Sequence, residues 1–147
     1  MNSALGSPPS PTDWLSAHPD AGTAQAVAVA FLAAMEARDL TAAKAALAPG
    51  FTMVFPGPKR LTALEDLVSG SRQRYQWVAK RIEAVESLSS GGAEVVWVRG
   101  TLYGTNVHGV DFEGVRFVDR FEVDGRLLAR QDVWNDLAES GVLLKTV

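Results

Sequence analysis

Cysteine is absent from all 147 residues, which excludes disulfides, thiolate nucleophiles and zinc–thiolate sites and fits a reducing compartment. Histidine is nearly as scarce. Of the two, His18 lies in a Pro- and Ser-rich N-terminal stretch and His108 in "NVHGVD", which reads as a hairpin loop. Neither placement suits a transition-metal site, so no metal and no cofactor is expected. Long apolar runs are missing too. The longest, "AVAVAFLAAM", is about half of what crossing a bilayer requires, and the N-terminus lacks the basic-then-apolar order of a signal peptide. Nor is there a basic run. With 14 Lys plus Arg against 17 Asp plus Glu, and a formal charge of -3, nothing is built to neutralise a line of phosphates. Membrane spans and nucleic-acid partners are therefore not expected, and the reading is a cytoplasmic protein.

What is present suits one globular domain, since 47% of residues are hydrophobic and 21% charged. Residues 1–21, rich in Pro, Ser and Gly, read as a flexible N-terminal segment, and 22–147 as the single domain. Trp14 and Leu15 are the exception, because a large aromatic in a polar tail tends to dock somewhere. From Thr23, Val27, Phe31, Ala34, Met35 and Arg38 recur at helical spacing. Asp39 is placed to cap a second, shorter helix. "FTMVF" is a short strand broken by "PGPK", and Thr62 with Glu65 has the spacing of a capping box that opens a third helix ending near Arg74. Beyond Tyr75 the chain reads as four long strands in a meander, with turns at "SSGG", at the His108 loop and at Asp124–Gly125. The class is α+β.

Alternate side chains of a strand point to opposite faces. Val115, Phe117, Asp119, Phe121 and Val123 therefore share one face and Arg116, Val118, Arg120 and Glu122 the other. By the same rule Trp97, Arg99, Thr101 and Tyr103 form one set, and Leu128, Arg130, Asp132 and Trp134 another.

The segments "FLAAMEARDLTAAKAALAPGF" and "DRFEVDGRLLARQDVWND" resemble the NTF2-like superfamily, in particular its SnoaL-like, ketosteroid-isomerase-like and limonene-epoxide-hydrolase-like members, over roughly residues 22 to 138. The resemblance implies a cone: three N-terminal helices packed on a curved antiparallel sheet that encloses a pocket. It also implies that the sets holding Trp97, Phe117 and Trp134 all face inward. Trp97, Tyr103, Phe117 and Trp134 would then line the pocket together with Phe31 and Phe55. Asp119, Asp132, Arg99 and Arg130 would form its charged end, paired with one another because unpaired burial is costly.

Such a cluster suits acid–base catalysis on a small hydrophobic molecule, of cyclase, isomerase or dehydratase type, with Asp132 held by Arg99 and Arg130 and with Asp119 as its complement. Positions matching the ketosteroid-isomerase Asp, Tyr and second Asp are Phe55, Phe31 and Asp119, so two of the three are replaced. Positions matching the epoxide-hydrolase Asp-Arg-Asp are Thr101, Arg99 and Asp132, and Met53 and Phe55 stand where water would be oriented. An epoxide-hydrolase-like reaction using Asp132 and Arg99 stays an alternative, as does non-catalytic binding. Lys80 and Arg81 read as solvated, and Arg72 and Arg74 as a helix end. Val96, Val98, Leu102 and Val118 would leave an apolar outer face, which fits a homodimer through the sheet.

Overall fold

A computed structural model describes residues 6–147. Within the segment expected to be flexible, Pro11–Ala17 forms helix α1. Proline stands at its first turn and the Ser10 hydroxyl accepts from the Asp13 amide at 3.1 Å, so both start signals are met. Trp14 is buried, and His18 stacks on it at 4.2 Å between ring centroids. The aromatic in the polar tail thus docks on its own domain. Upstream, the Pro9 carbonyl accepts from the Ile82 amide at 2.7 Å. Residues 1–5 of the expected segment lie outside the described residues.

Helix α2 spans Thr23–Glu36 and buries Ala28, Val29, Phe31, Leu32 and Met35. It closes with the Arg38 amide on the Met35 carbonyl (3.1 Å) and the Asp39 amide on the Ala34 carbonyl (2.8 Å), with Arg38 left-handed at φ 58°. That bond pattern ends many helices, usually with glycine at the left-handed position. Asp39 then caps α3, Leu40–Ala45, accepting from the Ala42 amide. Helix α4, Leu64–Arg72, starts at Ala63 without a side-chain cap. The expected Thr62/Glu65 capping box does not form, because Glu65 pairs instead with Lys44 across from α3.

Six strands make one sheet: β1 Leu47–Phe55, β2 Lys59–Leu61, β3 Tyr75–Ser90, β4 Ala93–Asn106, β5 Asp111–Asp124 and β6 Leu127–Asn135. Their order is β2-β1-β6-β5-β4-β3. The meander is present, but the sheet is mixed where a purely antiparallel one was expected. β1 runs parallel to β6, with Thr52 opposite Arg130 and Val54 opposite Asp132. Such a pair needs a long crossover, and here the intervening helix and the other meander strands supply it.

Bulges curve the sheet. Glu83 is an extra residue in β3, since Ile82 pairs with Gly100 and Ala84 with Arg99. At that bend a Cβ on Gly100 would fall 1.8 Å from the Arg81 carbonyl oxygen, and one on Gly104 2.3 Å from that of Trp77. Only glycine permits so close an approach. A short helix, α5 (Leu137–Ser140), and a 3-10 turn at Val142–Leu144 finish the chain.

The inner face carries Val96, Val98 and Leu102 from β4 and Val115, Phe117, Phe121 and Val123 from β5, all buried. Phe31 packs edge-on against Phe51 and Phe121, each pair at 6.0 Å. Fully burying such a side chain stabilises by about 1.5–3 kcal/mol. This corrects the expected apolar outer patch: Val96, Val98 and Leu102 are core, and of that set only Val118 lies outside.

Candidate active site

Between α2, α4 and the concave face lies a cavity of about 120 Å³. Its apolar walls are Phe31, Leu32, Met35, Phe55, Leu67, Leu102, Phe117 and Val133. Its polar lining is Glu36, Arg38, Ser71, Arg74, Tyr75, Lys80, Asp119, Gln131 and Asn135. A second space of about 240 Å³ shares Phe55, Leu67, Arg74, Asn135 and Leu137 with the first and adds Lys59, Leu61 and Asp66. The inner cavity therefore continues toward β2 and α5.

Asp119 is the chemically distinctive group. It is 0% exposed, and neither carboxyl oxygen has a hydrogen-bond partner among the described residues. Loss of hydration pushes its pKa from 3.8 up to about 6, while the nearby Lys80 ammonium and the Gln131 side chain pull the other way. Lys80 reaches in over the Phe117 ring, with Nζ 5.1 Å from its centroid. Gln131, also buried, leaves its own Oε1 unpartnered. Burial raises the Tyr75 pKa, so that phenol keeps its proton and can donate. An acid that titrates near neutrality, with amide, ammonium and phenol donors in the same lining, can accept a proton from a bound molecule or return one. Among the described residues no three His, Asp or Glu side chains gather closely enough to share a metal ion.

The helices over the curved six-stranded sheet have counterparts in solved structures. An NTF2-like protein of unknown function from Burkholderia pseudomallei K96243 superposes with a TM-score of 0.69, covering 85% of this chain and 100% of that one at 19% identity. The fold is NTF2-like. A candidate SnoaL-like polyketide cyclase from Shewanella putrefaciens CN-32 gives a TM-score of 0.71 over 95% of this chain and 97% of that one at 14% identity. TerC, crystallised with polyporic acid, gives 0.71 over 84% and 100% at 16%. At these identities the likeness is one of fold. No protein-family model and no curated protein matches the sequence.

The NTF2-like cone brings together four of the expected residues: Asp119, Phe117, Phe31 and Phe55 all line the cavity. It separates the other six, and the reasons are geometric. On β4 the alternation is as read, but Val98 pairs with Asp119 and Gly100 with Phe117. The aliphatic and glycine set is therefore the inner one, and Trp97, Arg99 and Tyr103 face out. On β6 a bulge breaks the alternation. Leu128 pairs with inward Val123, but Arg130 pairs with outward Glu122, which leaves Ala129 as the extra residue. Every side chain after it changes face, so Gln131, Val133 and Asn135 point inward while Arg130, Asp132 and Trp134 point outward.

Outside, the expected cluster pairs with other partners. Arg130 holds Asp132 through two hydrogen bonds of 2.8 and 2.9 Å. Arg120 stands 3.7 Å from the same carboxylate, and Arg99 pairs with Glu83 at 3.2 Å. Trp97 and Trp134 stack at 6.2 Å, and Trp77 meets Tyr103 edge-on at 5.6 Å. Asp132 and Arg99 are thus remote from the cavity, which removes the basis for an epoxide-hydrolase-like constellation there.

The sequence reading missed Gln131, Asn135, Tyr75 and Lys80. Lys80 on β3, expected to be solvated, instead pairs with inward Leu102 of β4 and lines the cavity, a position legible once the inner set of β4 was known. Gln131 and Asn135 had no such signal, because nothing in "LLARQDVWN" marks Ala129 as a bulge. His108 is exposed, as expected.

Proposed function

We propose that the chain is an acid–base enzyme acting on a small hydrophobic molecule, of isomerase, cyclase or dehydratase type, with Asp119 as the proton-transfer group. The observation that carries this reading is a fully buried carboxyl without a hydrogen-bond partner that faces an apolar cavity. Structural carboxylates in cores are paired; one held ready for a substrate proton is not. The carboxylate accepts a proton from carbon beside a carbonyl, the electron pair moves to the carbonyl oxygen, and the carboxylic acid returns the proton at another position. Gln131, Lys80 and Tyr75 are the donors available for the developing oxyanion. Proton transfer of this kind runs on ionisable side chains alone, which is why the reading is cofactor-independent. The likeness to candidate polyketide cyclases supports it at the level of fold.

The test is hydrogen–deuterium exchange at the α-carbon of small aryl ketones in deuterium oxide, followed by NMR. Exchange should depend on the protein and fall by roughly 10²–10⁴-fold in Asp119→Asn. Ketones that bind without exchange would favour a binding protein instead.

We also propose that a second copy covers the outer face. Trp77 and Trp134 are 49% and 51% exposed there, beside Tyr103 and Arg99. Tryptophan, tyrosine and arginine are the residues that anchor interfaces, and Arg81, Arg99 and Arg116 lie on the same face as Glu83 and Glu86, so two copies can match opposite charges.

A further inference from the structure

Cations are distributed unevenly in this molecule. On the outer face, among the described residues, Arg99, Arg116, Arg120 and Arg130 each have a carboxylate partner, and Arg81 lies over the Tyr103 ring at 4.0 Å. Of the three cations that line the cavity, Arg38, Arg74 and Lys80, none is in an ion pair. The two carboxyls in the same lining offset the three cations only in part. Glu36 accepts from the Lys80 backbone amide at 2.8 Å and favours the charge of Arg38, and buried Asp119 lies near the Lys80 ammonium. Lys59 and Asp66 add one charge of each sign at the outer space, so the two linings together hold four cations against three carboxyls. In a chain of net charge -3, this is a local reversal of sign.

Arg38 is the most telling of the three. It occupies the left-handed position that ends α2, where glycine fits without strain and arginine does not. Its guanidinium turns back to donate to the Met35 carbonyl at 2.8 Å and to the Ser71 hydroxyl at 3.0 Å. Two of its five N–H groups are so used, which leaves three for a ligand. Burial and the neighbouring Arg72 work against its charge while Glu36 favours it, and an arginine keeps it. Arg74 leans over the Tyr75 ring at 5.7 Å, within the lining shared by the inner and outer spaces.

We infer that the molecule bound in this cavity is an amphiphilic anion, with an apolar body among Phe31, Phe55 and Phe117 and a carboxylate or ionised enol held by Arg38 and Arg74. This rests on the reading of the cavity as a small-molecule site and adds the ligand's charge class.

The experiment is calorimetric titration at neutral pH and low salt with cinnamate and with its uncharged isostere, cinnamamide. Wild-type protein is expected to bind cinnamate about tenfold more tightly. Arg38→Gly, which also relieves the left-handed backbone, and Arg74→Gln should each reduce that preference severalfold, weakening cinnamate more than cinnamamide. Thermal denaturation of both variants checks that they are folded. Equal binding of the two probes, or a preference that survives both substitutions, overturns the anion assignment while leaving a small-molecule site in place. Binding of neither probe at millimolar concentration overturns the assignment and the cavity reading together.

Discussion

A single carboxyl sets the pH behaviour expected of this protein. The pKa of Asp119 in the folded chain is about 6, above its ordinary 3.8. Between these values the native state holds a proton that the unfolded chain has released, so stability contributed by the protonated acid is complete below the lower value and is lost as pH rises through the upper one. The displacement corresponds to roughly 3 kcal/mol. Asp119→Asn, which cannot ionise, should therefore be more stable than wild type by up to about 3 kcal/mol above pH ~7, with no advantage below pH ~4. Urea denaturation at a series of pH values checks this; a constant difference between the two proteins would rule it out. Asn106 predicts the opposite kind of effect. Fully buried, it donates to the Val142 and Lys145 carbonyls and accepts from the His108 and Val110 amides, tying the C-terminal turn to the sheet. Asn106→Ala should cost about 3 kcal/mol, read from the denaturation midpoint. Asp119 was legible in the sequence because β5 keeps strict alternation from Val115 to Val123. Arg99 was misplaced although its alternation was right, because nothing local says which face of a strand is inner.

Elements owe their shape here to departures from regularity. Gly100 and Gly104 lie where β3 crosses close over β4, and the inner face bends at that point to make room for the helices. Gly100→Ala would drive a methyl into the Arg81 carbonyl, and flattening the bend would disturb Ile82, Val98 and Phe117 together. A loss on the order of 2–3 kcal/mol is expected, with broadened inner-face NMR signals. Ala129 shows the limit of reading a strand by alternation. One unmarked residue reversed every later side chain of β6, so an expected charged cluster became an outer ion-pair network and three inward residues went unseen. The start of α3 fared better, since Asp39 carries a local signal; Ser10 carries one too, but the segment that holds it reads as flexible by composition. Thr62 with Glu65 has the same kind of signal, but the tertiary contact to Lys44 prevailed.

At the scale of the whole molecule the two faces of the sheet divide the work. The concave face, with α2 and α4, encloses a cavity with apolar walls, the buried acid Asp119 and a polar lining that includes Glu36, Arg38, Arg74 and Lys80. The convex face gathers tryptophan and arginine where solvent or a second copy meets it. If a second copy covers it, Trp134→Glu should convert a dimer to a monomer in light scattering without lowering cavity binding; a monomeric wild type would remove the dimer proposal. The order of three helical patterns and then a meander was legible in the sequence, and the cone is what the resemblance carried by those segments implies. The parallel pairing of β1 with β6 was not legible, because it joins segments with no shared local signal. Among the described residues no helix is long and apolar enough to cross a membrane.

The central claim is that Asp119 waits in the cavity as an acid poised near neutrality. Carbon-13 NMR of the side-chain carboxyls, titrated across the acid range and assigned by comparison with Asp119→Asn, measures this directly. A carboxyl with its midpoint near 6, absent from the variant, is the predicted result. A midpoint for Asp119 near 4, the ordinary aspartate range, would contradict the account.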